Sequence, residues 1–122
     1  MAYSQKIRTK KPLSGTVSLA AAATTAAIDL QGGTLVGLYL PNLTSTTFTI
    51  TSSPTELGTY QTLADALGTY TTAGNDITFT IGATSNKWFP LPPALTAGLV
   101  FIKLVFGSSE TADITYIIRN ID

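Results

Sequence analysis

A chain of 122 residues has the length of one domain, and its 11% charged fraction lies far below the roughly one-quarter of average globular domains. Cysteine and histidine are both absent, which excludes disulfides and thiolate zinc sites and removes the commonest general base and metal ligand. Seven basic residues balance seven acidic ones overall, but four of the basic residues fall in residues 1–11, which hold no acid, leaving the remainder at net minus four.

The surface that charge does not cover is covered by threonine, of which the chain has 22. A β-branched hydroxyl residue suits the solvent side of a strand and is mediocre in a helix. In chain order, Gly15 to Leu19 alternate as a strand does. The alanine-rich run Ala20 to Ala27 has helical propensity but no polar face, and reads as a loop or strand edge. A strand over Ala27 to Gln31 leads into Gly32-Gly33, a dipeptide suited to a tight hairpin turn, and the next strand covers Thr34 to Leu40 before Pro41. Thr46 to Ser52 alternates most cleanly, with Phe48 and Ile50 on one face and threonines on the other. Further strands are predicted over Tyr60 to Ala64, over Ile77 to Ile81 with Ile77, Phe79 and Ile81 inward, and over Lys87 to Leu91. Leu99 to Phe106 and Ala112 to Arg119 follow as two strands separated by a turn at Gly107-Ser108-Ser109, and no helix is expected.

About eight or nine short strands in one small domain predict an all-β fold, an antiparallel β-sandwich of jelly-roll type. Residues 1–14 form an extended basic arm before a sandwich domain at 15–122. In Leu35 to Leu40 and Leu99 to Phe106 both alternating faces are largely apolar. Leu35 and Tyr39 share one face, opposite Val36, Leu38 and Leu40, and in the later strand Leu99, Phe101 and Val105 share another. Two explanations stand: central strands covered by loops, or outer faces that meet another subunit through Tyr39, Phe101 and Val105.

Sites of chemistry are not apparent. Asp29, Glu56, Asp65, Asp76, Glu110 and Asp113 are scattered, mostly at predicted turns or strand ends where short acids cap backbone donors. No calcium loop or phosphate-cradling loop is present, so no catalytic residue, cofactor or metal is expected, and the reading is non-enzymatic. Trp88, Phe89, Tyr60 and Tyr70 could build a sugar-stacking platform or could be core and subunit contacts. No apolar run is long enough to span a bilayer, and the alanine-rich run is too diluted for a signal peptide, so a soluble chain without membrane contact is expected.

The order Thr16-Val-Ser-Leu, an alanine-rich stretch, Ala27-Ile-Asp-Leu, Gly-Gly, Leu35-Val-Gly-Leu and Pro41 resembles the opening of a family of small virion proteins encoded among the head genes of tailed bacteriophages and prophages. Phe48-Thr-Ile-Thr-Ser-Ser, Trp88-Phe-Pro-Leu with Pro93-Ala-Leu, and Phe101-Ile-Lys-Leu-Val resemble its second half, so the likeness spans roughly residues 16–118, with thinner turns between Thr55 and Asp76. The resemblance implies a head decoration or cement protein with a β-sandwich body, made in the host cytoplasm and carried on the capsid surface. Its partners would be the major capsid protein or neighbouring virion subunits, and a homo-oligomer is implied, a trimer being favoured. A carbohydrate- or receptor-binding module of a tail or fibre is the alternative.

The arm is expected to be a partner-binding element through Tyr3, Lys6, Ile7, Arg8, Lys10 and Lys11. The body behind it is acidic, which argues against nucleic acid. Ordering eleven residues costs on the order of 10–20 kcal/mol, while four exposed ion pairs supply at most about 4 kcal/mol. Apolar burial of Tyr3 and Ile7, with backbone pairing to a neighbour's sheet edge, must supply the rest.

Overall fold

The computed structural model describes residues 13–82 and 86–120. Eight strands run in chain order as β1 (Leu13–Thr24), β2 (Ile28–Asp29), β3 (Thr34–Leu40), β4 (Thr47–Ser53), β5 (Gln61–Thr62), β6 (Thr78–Thr80), β7 (Lys87–Pro90) and β8 (Phe101–Arg119). They form one antiparallel sheet curled into a half-barrel. The all-β antiparallel fold expected from the alternation is therefore present. Its facing halves belong to a single sheet because one strand runs through both.

That strand is β8, 19 residues long. Ile102, Leu104, Phe106, Glu110, Ile114 and Ile118 are all buried, so even positions face inward on both sides of the exposed stretch 107–109. β1 and β2 pair along one side, from Leu13 opposite Ile118 to Ile28 opposite Ile102. β4 and β3 share the other side, β4 against Phe101 to Phe106 and β3 against Thr115 to Arg119. β5 and β6 extend the sheet beyond β4, and β7 extends it beyond β3.

A straight strand of this length would span roughly 60 Å. The backbone does not allow that. The Leu30 amide donates to the Val100 carbonyl, Gly33 donates back to Leu30, and Thr34 already pairs with Arg119. One tight turn thus joins the neighbours of both ends of β8, so those ends lie within roughly 25 Å and the strand must curl. Gln31 at φ 53° and Gly32 at φ 78° are the two left-handed residues of this turn, the pattern of a type I′ turn. The turn expected at Gly32-Gly33 exists, but the strands it joins do not pair with each other. It carries the chain from one half of the sheet to the other.

Three further expectations are corrected. Gly107-Ser108-Ser109 is an exposed bend inside β8, not a turn between two strands. In β3, the register steps from Leu35 opposite Ile118 to Gly37 opposite Ile117, leaving Val36 as a bulge. A single extra residue inverts side-chain parity, so Leu35 joins Leu38 and Leu40 in the core while Tyr39 and Val36 are half-buried. A one-turn helix, α1 (Pro93–Thr96), follows Pro92, and its fully buried Thr96 Oγ accepts from the Leu35 amide at 2.8 Å. Four residues are too few to show a helical period, which is why the sequence hides it.

The alanine-rich run is mostly strand: β1 continues to Thr24 through a bulge at Ala21, whose φ is 52°. Leu13 and Ser14, placed with the arm, pair with Ile118 and Ile117 as the start of β1. Tyr3, Lys6, Ile7, Arg8, Lys10 and Lys11 lie outside the described residues. The core gathers Leu30, Leu35, Leu38, Leu40, Ile50, Leu104 and Ile114 around Phe48, which stacks on Phe79 at 5.0 Å and meets Phe106 at 5.6 Å.

Candidate interaction surface

The register of β8, β3 and β7 sets the outward face of one half of the sheet. Ile117 lies beside Gly37, which lies beside Pro90; one step along, Thr115 lies beside Tyr39 and Tyr39 beside Trp88. The Tyr39 and Trp88 rings are 5.2 Å apart at 57°. Trp88 remains 56% exposed. Across β8 the face continues into Ser14 and Thr16 of β1, opposite Ile117 and Thr115. An uncharged strip therefore carries an exposed Trp88 against a half-buried Tyr39, with Gly37, which has no side chain, at its centre.

The three residues proposed for a subunit interface all lie on outward, half-buried positions, but they are not neighbours. Tyr39 borders Thr115, whereas Phe101 and Val105 border Ser53 and Thr49 on the far side of the bend. Ten residues of strand separate Val105 from Thr115, roughly 30 Å along β8. Between Phe101 and Val105 stands Lys103, whose Nζ lies 4.4 Å from the centre of the Tyr60 ring. The four aromatics considered as a sugar platform are also separated. Phe89 packs on the core, Tyr60 faces Lys103, and Tyr70 belongs to the loop after β5.

Four of the carboxylates, Asp29, Asp65, Glu110 and Asp113, are occupied by the fold. Asp29 Oδ1 accepts the Gln31 amide at 2.9 Å, and Asp113 accepts the Ser18 hydroxyl at 2.6 Å. Asp65 is buried and accepts the successive amides of Thr69, Tyr70 and Thr71 at 2.9, 2.5 and 2.7 Å. Burial pushes its pKa up, but these amides outweigh burial and hold it below the ordinary carboxylate value. A cavity of about 260 Å³ beside it, floored by Ile77 and Leu95, therefore meets a carboxylate that is already engaged.

Glu110 is the feature the sequence reading missed. It occupies an inward position of β8, at the bend, and is buried. Oε2 accepts the Ser45 amide at 2.7 Å and the Ser45 hydroxyl at 2.5 Å, and the Thr44 amide and hydroxyl also donate to the carboxylate. The Ser45 hydroxyl has one proton. It gives that proton to Glu110 and accepts from the Ser108 amide at 3.0 Å. Burial raises the Glu110 pKa, and the hydrogen bonds from Ser45 and Thr44 reverse that and hold it low. The clamp ties the loop before β4 to the bend of β8. An acid at an even position between Phe106 and Ile114 was the signal that could have revealed it.

No family model, curated protein or solved structure matches the chain. Among the described residues no three acids group as a metal site would require.

Proposed function

We propose that this protein is a non-enzymatic virion structural protein that decorates or cements the capsid shell of a tailed phage, as copies that associate with one another, three around a symmetry axis being the favoured arrangement. The observation that carries the reading is the Tyr39–Trp88 pair, with Trp88 exposed, on an uncharged strip of the outward sheet face. Aromatic residues that stand in water on a rigid scaffold are the usual anchors of protein interfaces. The engagement of Asp65 and Glu110 in backbone caps supports a structural rather than a catalytic role. The sequence resemblance to head decoration proteins supplies the shell as the partner. A sugar-binding tail or fibre module draws less support, because its four candidate aromatics do not share a face.

The test is attachment of purified protein to tailed-phage heads stripped of their decoration protein, measured by co-sedimentation. Trp88→Ala should fold with little loss of stability, since the side chain is mostly exposed, yet should lose attachment. Full attachment by this variant would overturn the assigned face, and failure of the unaltered protein to attach to any such head would overturn the shell as partner.

A further inference from the structure

Sheet edges need protection, because a row of unpaired N–H and C=O groups invites another strand. β5 and β6 are two and three residues long, and β7 carries Lys87 and Pro90. β1 has no such protection. Among the described residues it pairs only with β8, so one edge of a 12-residue strand is unpaired. From Leu13 to Ala20, before the bulge at Ala21, it contains no charge and no proline. Its inward positions carry Val17 and Leu19, and its outward positions carry the exposed Ser14, Thr16, Ser18 and Ala20.

We propose that the β1 edge of each copy receives residues 3–10 of a second copy as an added strand. Three observations select this occupant. The first is period. Tyr3, Gln5, Ile7 and Thr9 alternate with Ser4, Lys6, Arg8 and Lys10, which is the pattern of a strand with one apolar or neutral face and one basic face. On the β1 edge the first set continues the face of Val17 and Leu19, and the second continues that of Thr16 and Ser18.

The second is charge. The described body carries three basic and six acidic residues, whereas residues 1–12 carry four basic residues and no acid. Asp113 stands on the outward face in register with Ser18. It lies two strand spacings, roughly 10 Å, from the added strand. That is within reach of an arginine or lysine side chain. The third is linkage. Lys11 precedes Pro12, whose ring fixes a negative φ, so Lys11-Pro12 cannot form the two-residue type I′ turn that would fold the segment tightly back on its own β1. This favours a second copy over the same chain as the source of the added strand. Repeated head-to-tail, such a contact makes a ring where the rotation between copies closes, and three copies about an axis is the closure proposed here. The inference rests on the self-association in the proposed function and is independent of the shell.

Disulfide trapping tests it, since the chain has no cysteine of its own. Single variants Lys6→Cys, Ile7→Cys, Arg8→Cys, Thr9→Cys and Lys10→Cys are each mixed with Thr16→Cys and oxidised. The expected result is mixed disulfide between copies from positions 6, 8 and 10, little from 7 and 9, and loss of trapping with Thr80→Cys in place of Thr16→Cys. In parallel, Ser14→Lys with Thr16→Lys, both at exposed positions, should leave the chain folded, with cooperative thermal unfolding, and shift sedimentation from oligomer to monomer. Deletion of residues 2–11 should produce the same shift. A persistent oligomer without the alternating pattern would overturn the edge assignment while leaving self-association intact. A disulfide confined within one chain in an Arg8→Cys/Thr16→Cys double variant would also overturn it. A monomeric unaltered protein would overturn both.

Discussion

Replacing Glu110 with Gln probes the clamp that holds the bend of β8. The carboxylate accepts from Thr44 and Ser45 through both amides and both hydroxyls. Glutamine offers one oxygen and one NH2, so whichever way it turns, at least one of these donors faces another donor. Hydrogen bonds to a charged group contribute roughly 1.5–3 kcal/mol, and an unsatisfied buried donor costs about 1–3 kcal/mol. The neighbouring residues 107–109 are exposed, so water recovers part of this, and a net loss of about 2–4 kcal/mol is expected. For a domain of this size, that lowers Tm by roughly 10 °C.

The effect has a sign in pH. Hydrogen bonding holds the folded-state pKa of Glu110 below its unfolded value, which is about 4.3. Its contribution is therefore complete above that value and is lost as pH falls through the folded pKa. Thermal unfolding of both proteins should show a gap that is full at neutral pH and closes on acidification. A Tm within about 2 °C of the unaltered protein at neutral pH, or a gap that does not change in acid, would refute the clamp.

Asp65→Ala should leave global unfolding cooperative but speed hydrogen exchange selectively at the Thr69, Tyr70 and Thr71 amides, which lose their acceptor; unchanged protection there would contradict the assignment. Acidification should lower the protection of the same amides in the unaltered protein, measured against their intrinsic exchange rate at each pH, because the Asp65 pKa is held low and its cap is lost as pH falls through it. Leu104→Ala removes a fully buried side chain at the centre of the sheet and should cost about 2–5 kcal/mol in urea unfolding, whereas a loss below about 1 kcal/mol would mean that the curl of the sheet collapses to refill the site. Screens against glycans, peptides and phosphoesters should yield no turnover, and an activity abolished by one carboxylate substitution would overturn the structural reading.

The sequence by itself determined what depends on neighbours along the chain. Phe48 and Ile50 alternate with threonines in β4, and Ile77 and Ile81 flank β6; both patterns placed these residues correctly in the core, because a strand's two faces follow from a period of two. The two left-handed residues at Gln31 and Gly32 realise a turn that Gly32-Gly33 announced. Tertiary structure decided whatever depends on a distant partner. The Val36 bulge sends Leu35 inward with Leu38 and Leu40, because Leu35 and Gly37 pair with the consecutive residues Ile118 and Ile117. Gly107 to Ser109 stay in the strand because Ser45, more than sixty positions away, holds the Ser108 amide and the Glu110 carboxylate. Trp88 meets Tyr39 only through the pairing of β7 with β3, and among the described residues β1 keeps an open edge because β3 and β4 take the other side of β8. Local alternation tells each strand which residues share a face; long-range register alone says which face meets the core, which meets water, and which edge remains to be filled.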